Sequence, residues 1–136
     1  MGILGILENN MKMKIQNAKI KSTMLGLEDH NIMTIYLNLD YGSTRQSFGG
    51  YQIDKPLEDI NGVIVGRMGT AFGCEFIRKV LEVVDVRCWE DLPGKHIRVE
   101  REDEWNGKIL RIGNIIKDKW FDPKKLAKNM EGHEKS

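Results

Sequence analysis

The sequence has few of the residues that mark metal-binding, disulfide-bonded or membrane proteins. It contains 2 cysteines and 3 histidines in 136 residues, whereas a zinc site needs four protein ligands, or three and a water. No apolar run approaches the roughly 18 residues of a membrane-spanning helix. The 21 basic residues nearly balance the 20 acidic ones, giving a net charge of +1. We therefore expect no metal site, no membrane partner and no broad attraction for nucleic acid.

The chain also lacks the signs of an oxidising compartment. Its two cysteines, Cys74 and Cys88, fit free buried thiols better than a disulfide, and no secretory signal is recognisable, so we place the protein in the cytoplasm. Cys74 lies close to Phe72 and Phe76, which predicts a thiol packed in the core. Residues 1–11 are interpreted as a leader or upstream extension, because their short apolar stretch has no basic region before it.

Composition and pattern predict one domain. Hydrophobic residues make up 40% and charged residues 30% of the chain, which is typical of a folded globular protein. We expect a single α+β domain at residues 12–123 and a polar tail at 124–136, with a short helix in that tail. Strict alternation across residues 32–40 places Ile35, Leu37 and Leu39 on one face of a strand.

The remaining pattern gives the order of elements. Strands are predicted near residues 12–24, 44–53, 96–100 and 110–116, and residues 54–69 are interpreted as a loop with a short strand at 62–65. Gly49 and Gly50 inside the third strand indicate a bulge or a close backbone approach. Thr70 caps a helix that runs to about Val84, and Asn106 begins a hairpin turn.

Strands, one helix and more strands predict an antiparallel sheet of about five to six strands packed on one main helix. An OB-like five-stranded barrel is the alternative.

No combination of residues indicates catalysis. The chain has no nucleophile elbow, no Walker loop and no GxGxxG motif. Asp29 and His30 could act in general acid–base catalysis, but a turn with ordinary polar residues is the better interpretation of this pair. We therefore expect a protein that is not an enzyme and needs no cofactor.

Three groups of residues suggest ligand binding instead. Residues 45–51 combine a cation, two aromatic rings that could stack on bases and two glycines that allow close approach. An arginine precedes the helix start, where anions bind well, and basic residues lie along the last strand. Each group has an ordinary structural alternative: a bulged strand with core aromatics, a plain helix cap and a solvated face. The candidate ligand-binding residues are Arg45, Phe48, Gly49, Gly50, Tyr51, Arg67, Thr70, Arg111 and Asn114.

Four segments carry a resemblance to a known family: TMLGLEDHNIMT (23–34), QSFGGYQID (46–54), WEDLPGK (89–95) and IGNIIKDKWFDP (112–123). Across residues 12–123 the chain resembles small phage and prophage proteins, and among them the anti-Thoeris sponges that sequester cyclic ADP-ribose signals. The resemblance implies an anti-defence protein that binds glycocyclic ADP-ribose in the cytoplasm of the infected bacterial host without cleaving it. It also implies cyclic oligonucleotides of CBASS as further ligands, and a dimer or hexamer. No family ligand residue is matched to a position in this chain.

Two other functions remain open from the sequence. An OB-like barrel would suit an accessory protein that binds single-stranded nucleic acid, although the chain has no basic stripe. A protein-binding inhibitor of a host defence enzyme is the other alternative.

Overall fold

The computed structural model describes residues 12–134 and has an α+β fold. The strands are β1 (Met13–Leu27), β2 (Met33–Asp40), β3 (Arg45–Gln52), β4 (Asp54–Glu58), β5 (Ile64–Gly69), β6 (His96–Glu102), β7 (Ile109–Asn114) and β8 (Trp120–Phe121). The helices are α1 (Ala71–Val84) and α2 (Pro123–Glu134), and short 3-10 turns lie at Asp29–Asn31 and Trp89–Asp91.

Six of the strands form one antiparallel sheet in the order β3-β2-β1-β6-β7-β8, while β4 and β5 pair separately. In the described part of the chain the sheet does not close, since β3 and β8 are opposite edges. The predicted α+β class is therefore confirmed, and the OB-like barrel is wrong. No helix within residues 12–134 is long and apolar enough to cross a membrane.

The core lies between one face of the sheet and α1. The alternation predicted for the second strand is confirmed, because Ile35, Leu37 and Leu39 are all buried. From the helix, Phe76 and Val80 pack against this face, as the helical spacing of apolar residues requires. The other face of the sheet carries the intervening, mostly polar side chains.

The glycine pair in β3 forms the predicted bulge. Tyr51 pairs with Ile35 and Gly49 pairs with Tyr36, so Gly50 is the additional residue. Gly49 has φ +115°, and a Cβ there would lie 2.6 Å from the carbonyl oxygen of Ile35. A side chain at this position would therefore clash with β2.

Residues 54–69 are not a loop with one short strand. They form the β4–β5 hairpin, which turns at residues 59–63. Asp59 holds this turn, because its carboxylate accepts the backbone N–H groups of Asn61 and Val63, each at 2.9 Å. The glycines and Pro56 suggested irregular structure, yet Pro56 lies within a two-stranded sheet, where proline is tolerated on an edge strand.

The helix α1 begins as predicted. The Thr70 hydroxyl accepts a hydrogen bond from the Gly73 backbone N–H at 3.0 Å and donates one to the Ile53 carbonyl at 3.0 Å. Asp85, in the left-handed conformation at φ 64°, ends the helix. Cys74 is exposed on this helix, so the prediction of a buried thiol is wrong, and Cys88 is likewise free and exposed.

The C-terminal residues form a second helix that packs on the core. The predicted short helix is present as α2, which begins at Pro123, where proline suits the first helical position. Leu126 packs against the core, so residues after 123 contribute to the fold. The leader predicted for residues 1–11 lies outside the described residues.

The ion pair of buried Asp54 with half-buried Arg67, which joins β4 to β5, makes stability depend on pH. Two hydrogen bonds from the Arg67 guanidinium hold the pKa of Asp54 below its usual range, and the Met33 backbone N–H acts in the same direction. A carboxylate with a lower pKa in the folded state stabilises the fold above its unfolded pKa of about 3.9. We expect this stabilisation to be lost as the pH falls through the pKa of the folded state.

Urea unfolding at pH 7 and across the acid range tests this expectation. Asp54→Asn should be less stable than the parent at pH 7 and should lose less stability on acidification. Asp103→Asn, which removes an exposed partner 3.7 Å from Lys14, should keep the parent's acid slope. An unchanged acid slope in Asp54→Asn would contradict the expectation.

Candidate anion-binding groove

A groove of about 470 Å³ opens at the β8 edge of the sheet. The short strand β8 covers only Ile112 and Gly113 of β7. The outer edge of β7 at residues 109–111 therefore has no strand beside it in the described part of the chain, and the first turns of α2 form the facing wall. The volume lies within the usual range for small-molecule sites, roughly 300–1,000 Å³.

Basic side chains outnumber acidic ones around this groove. The acids are Glu100 and Asp122, and the bases are Lys79, Lys108, Arg111, Lys124 and Lys125.

Both acids already have partners. Glu100 accepts two hydrogen bonds from Arg111, at 3.1 and 3.3 Å. Asp122 caps α2 by accepting the backbone N–H groups of Lys124 and Lys125, at 3.0 and 3.2 Å. Because this carboxylate occupies the helix N-terminus, those amides are not free for a phosphate.

Three of the lysines are available to an anion. Lys108, Lys124 and Lys125 are exposed and make no ion pair with any side chain of residues 12–131, the range over which side chains are described. Lys79 differs, since its ammonium lies 3.6 Å from Glu82 on the same helix. Three unpaired ammonium groups around one groove favour a ligand with more than one negative charge.

Trp120, on β8, forms a rigid part of the groove lining. Its indole lies against Gly113, where a Cβ would come within 2.5 Å of the ring atom Cε3. The guanidinium carbons of Arg98 and Arg111 lie 4.7 and 4.1 Å from the indole centroid, within cation–π range. The indole Nε1 donates to Asp118 at 3.1 Å, which fixes the orientation of the ring.

Tyr51 contributes a second aromatic ring to the lining. It packs against Phe76, with ring centroids 5.4 Å apart, and against Phe72 at 6.1 Å. Burial raises the pKa of its phenol above the usual value of about 10. The phenol therefore stays neutral near pH 7 and can donate a hydrogen bond to an anion.

The structure brings only two of the nine sequence-predicted residues into this groove. Tyr51 and Arg111, 60 positions apart in the chain, both line it. Arg45, at the other end of β3 from Tyr51, lies beside a separate depression of about 300 Å³ that includes Ser22 and Asn38. Gly49 and Gly50 form the β3 bulge and do not line either cavity.

The other predicted residues serve the fold. Phe48 is 3% exposed and packs against Phe76 and Phe121, so it cannot stack on a ligand. Arg67 pairs with buried Asp54, and Thr70 caps α1.

Asn114 also has a structural role. Its amide donates to the Val83 carbonyl at 2.9 Å and to Asp85 at 3.1 Å, and its side-chain oxygen accepts the backbone N–H groups of Ile116 and Lys117. These bonds end β7 and turn the chain toward β8. The strand predicted to continue to residue 116 therefore stops at 114, leaving Ile116 85% exposed.

Sequence reasoning misses most of the groove. It predicts a polar tail for Lys124 and Lys125, and it gives no binding role to Trp120. A local signal exists in Asp122-Pro123-Lys-Lys, which predicts a capped helix with two lysines in its first turn. The partners of that turn, on β7 and α1, come from distant sequence, so the groove itself has no local signature.

The fold and the groove together define an α+β domain with a cationic, aromatic-lined cavity at a sheet edge. Comparisons of the chain with family models, with curated proteins and with solved structures find no match. The functional assignment therefore depends on the groove.

Proposed function

We propose that this protein binds a small cyclic nucleotide in the groove and holds it without cleaving it. The observation that carries the proposal is the group of unpaired lysines beside the fixed Trp120 and Tyr51 rings. Phosphates pair with ammonium groups, and a base stacks on aromatic faces. Glycocyclic ADP-ribose, the ligand that the family resemblance implies, offers a pyrophosphate and an adenine to these two kinds of group.

Each part of the groove has a distinct task in this proposal. Lys124 and Lys125 supply flexible point charges from the α2 wall, while Lys108 supplies one from the start of β7. Arg111 is positioned by Glu100 through Nε and one terminal nitrogen, so its other terminal nitrogen is available to the ligand. Because Arg111 is already anchored, less side-chain entropy is lost when it binds.

Binding without cleavage is supported by the state of the acids. Glu100 is held by Arg111, and Asp122 is held by the backbone of α2. Neither carboxylate is free to act as a general base, which must lie within hydrogen-bond reach of the proton that it removes from the ligand. In this proposal the groove recognises charge and aromatic surface and performs no bond cleavage.

Sequestration works by mass action inside the infected host. The protein, acting in the bacterial cytoplasm during phage infection, would lower the free concentration of the immune signal below the threshold of its receptor. A nanomolar dissociation constant corresponds to about −12 kcal/mol. The binding free energies of several charge-assisted hydrogen bonds and one or two stacked rings together approach that value.

A thermal unfolding screen tests the proposal. The panel contains glycocyclic ADP-ribose, cyclic di- and trinucleotides, and linear ADP-ribose as a charged control. At a hundredfold excess over its dissociation constant, a ligand should add about 2.7 kcal/mol of stability. We expect at least one cyclic nucleotide to raise the unfolding temperature and to be recovered unchanged after denaturation.

Two outcomes would contradict the proposal. Recovery of an altered nucleotide would show an enzyme, and an unchanged unfolding temperature across the panel would show that the groove does not bind this class. Chromatography and mass spectrometry of the recovered ligand separate the first outcome from simple binding.

A further inference from the structure

Two open depressions meet at the start of β3. One, of about 70 Å³, includes Arg45, Arg101 and Trp105 in its lining. The other, of about 300 Å³, includes Lys21 and Arg45. Because Arg45 and Gln46 line both depressions, the two form one continuous surface, which we define as the β3 surface.

The β3 surface is cationic, although the whole chain is nearly neutral. Among the described residues that line it, Lys21, Arg45 and Arg101 are basic and none is acidic. None of these three cations forms an ion pair with a described side chain. Asp40, which lies opposite Arg45 in the β2–β3 register, instead accepts the Gly42 backbone N–H at 2.8 Å. Positive charge that has no local partner favours an anionic ligand.

Trp105 adds an exposed aromatic ring to the β3 surface. It is 83% exposed, so its indole is not part of the core. The loop that carries it is anchored to β3, because the Gln46 side chain donates to the Gly107 carbonyl at 2.8 Å. Gly107 is buried, and a Cβ there would clash with the Glu102 carbonyl oxygen. An exposed indole on an anchored loop gives a face on which a nucleobase can stack.

Polar side chains continue the β3 surface across three strands. Ser22, Asn38 and Ser47 lie opposite one another on β1, β2 and β3. The Asn38 amide donates to Ser22 Oγ at 2.9 Å, and Ser47 Oγ donates to Asn38 Oδ1 at 2.8 Å. The Ser22 hydroxyl proton and one Asn38 amide proton therefore have no acceptor among the described residues, and both can be donated to a ligand.

The three cations are spread over too wide a surface for one small anion. Lys21 lies on β1 and Arg45 on β3, with β2 between them, and two strand spacings amount to roughly 10 Å. Arg101 lies on a third strand, β6. A single phosphate at one of these cations would leave the others unpaired, whereas successive phosphates of one strand can pair with all of them.

We propose that the β3 surface binds a single strand of nucleic acid, with Trp105 stacking on one base and the three cations pairing with phosphates. Ammonium and guanidinium groups pair with phosphate oxygens, and a single strand offers free base faces for stacking. The proposal is independent of the groove, since the β3 surface shares no lining residue with it. The cations come from distant parts of the sequence, so no basic stripe marks this surface in the chain.

Fluorescence anisotropy of the full chain with labelled twelve-residue oligothymidylate and oligouridylate tests the proposal. We expect the parent protein to bind at least one of them, and to bind it at least tenfold more tightly than an oligothymidylate–oligodeoxyadenylate duplex. Three phosphate contacts predict a slope of about −2 for the logarithm of the association constant against the logarithm of salt concentration, at about −0.7 for each phosphate of a single strand.

Two variants separate phosphate contact from base stacking. Lys21→Gln/Arg45→Gln should weaken binding at least tenfold and reduce the salt slope to about −0.7. Trp105→Ala should weaken binding at least fivefold through the loss of one stacked base, but it should keep the parent's salt slope. The matched control Lys55→Gln/Lys128→Gln removes the same charge elsewhere and should bind within twofold of the parent. All five side chains are exposed, so the variants should keep the parent's unfolding temperature.

Four outcomes would overturn the proposal. The first is that neither oligonucleotide binds at low salt. Equal affinity for the duplex, or equal weakening in the matched control, would show general attraction to phosphates without base stacking or a defined site. Weakening by Lys124→Gln/Lys125→Gln but not by Lys21→Gln/Arg45→Gln would place the strand in the groove.

Discussion

Replacing both Lys124 and Lys125 with glutamate is expected to weaken nucleotide binding to the groove at least ~100-fold. Each charge-assisted hydrogen bond contributes about 1.5–3 kcal/mol, and 1.4 kcal/mol is a tenfold change in affinity. The substitution removes two such bonds and adds two repulsive charges near the phosphates. Isothermal titration calorimetry with the ligand found in the thermal screen measures the change.

The fold should tolerate this variant. Both positions lie in the first turn of α2, where acidic side chains interact favourably with the helix dipole. The loss of affinity can therefore be separated from unfolding by comparing unfolding temperatures without ligand.

A matched control separates local contact from net charge. Lys55→Glu/Lys95→Glu produces the same net charge, but neither residue lines the groove or lies on α2. We expect this control to bind within a fewfold of the parent, since exposed charges are screened over about 10 Å at ordinary ionic strength. Equal weakening in both variants would show long-range attraction instead of a lysine-lined site, and no weakening in either would place the ligand elsewhere.

The sequence predicted those strands and helices in which the buried side chains recur at one regular spacing. The alternation in β2 and the 3.6-residue spacing in α1 each report a single buried face. The β4–β5 hairpin gave no such signal because its apolar residues are largely exposed, so its strands do not alternate between core and solvent. The residue at which β7 ends was not predicted either, because the Asn114 side chain interrupts the strand and leaves Ile116 exposed.

The candidate site was harder to predict than the fold for a geometric reason. Phe48 and Tyr51 are separated by the β3 bulge, and one additional residue changes which side chains share a face. The bulge itself was predicted from Gly49 and Gly50, but its consequence for the two rings was not. The extra residue places both rings on the core side of the sheet, where both contact Phe76, and Tyr51 also lines the groove.

Replacing Phe76 with alanine is expected to lower the free energy of unfolding by about 3–5 kcal/mol. Phe76 is 1% exposed. Its ring centroid lies 4.9 Å from that of Phe121 and 6.0 Å from those of Phe48 and Phe72. Removing it leaves a cavity where α1 meets both β3 and β8, and the surrounding rings cannot all move to fill the space.

Urea unfolding should show this loss as a lower midpoint with an unchanged slope. Cys74→Ala, at an exposed position of the same helix, is the matched control and should change the free energy of unfolding by less than about 0.5 kcal/mol. A loss below about 1 kcal/mol for Phe76→Ala would show that the aromatic cluster is not the centre of the core.

The same variant also tests how the core supports the groove. Phe76 contacts Tyr51 and Phe121, which both line the groove, but its ring is packed among other rings and supplies no charge to a ligand. At a temperature where the variant is folded, we expect nucleotide binding to weaken less than in Lys124→Glu/Lys125→Glu, because the charges remain while only the aromatic floor loosens. If Phe76→Ala abolished binding and the charge reversal did not, aromatic packing and not phosphate recognition would supply most of the affinity.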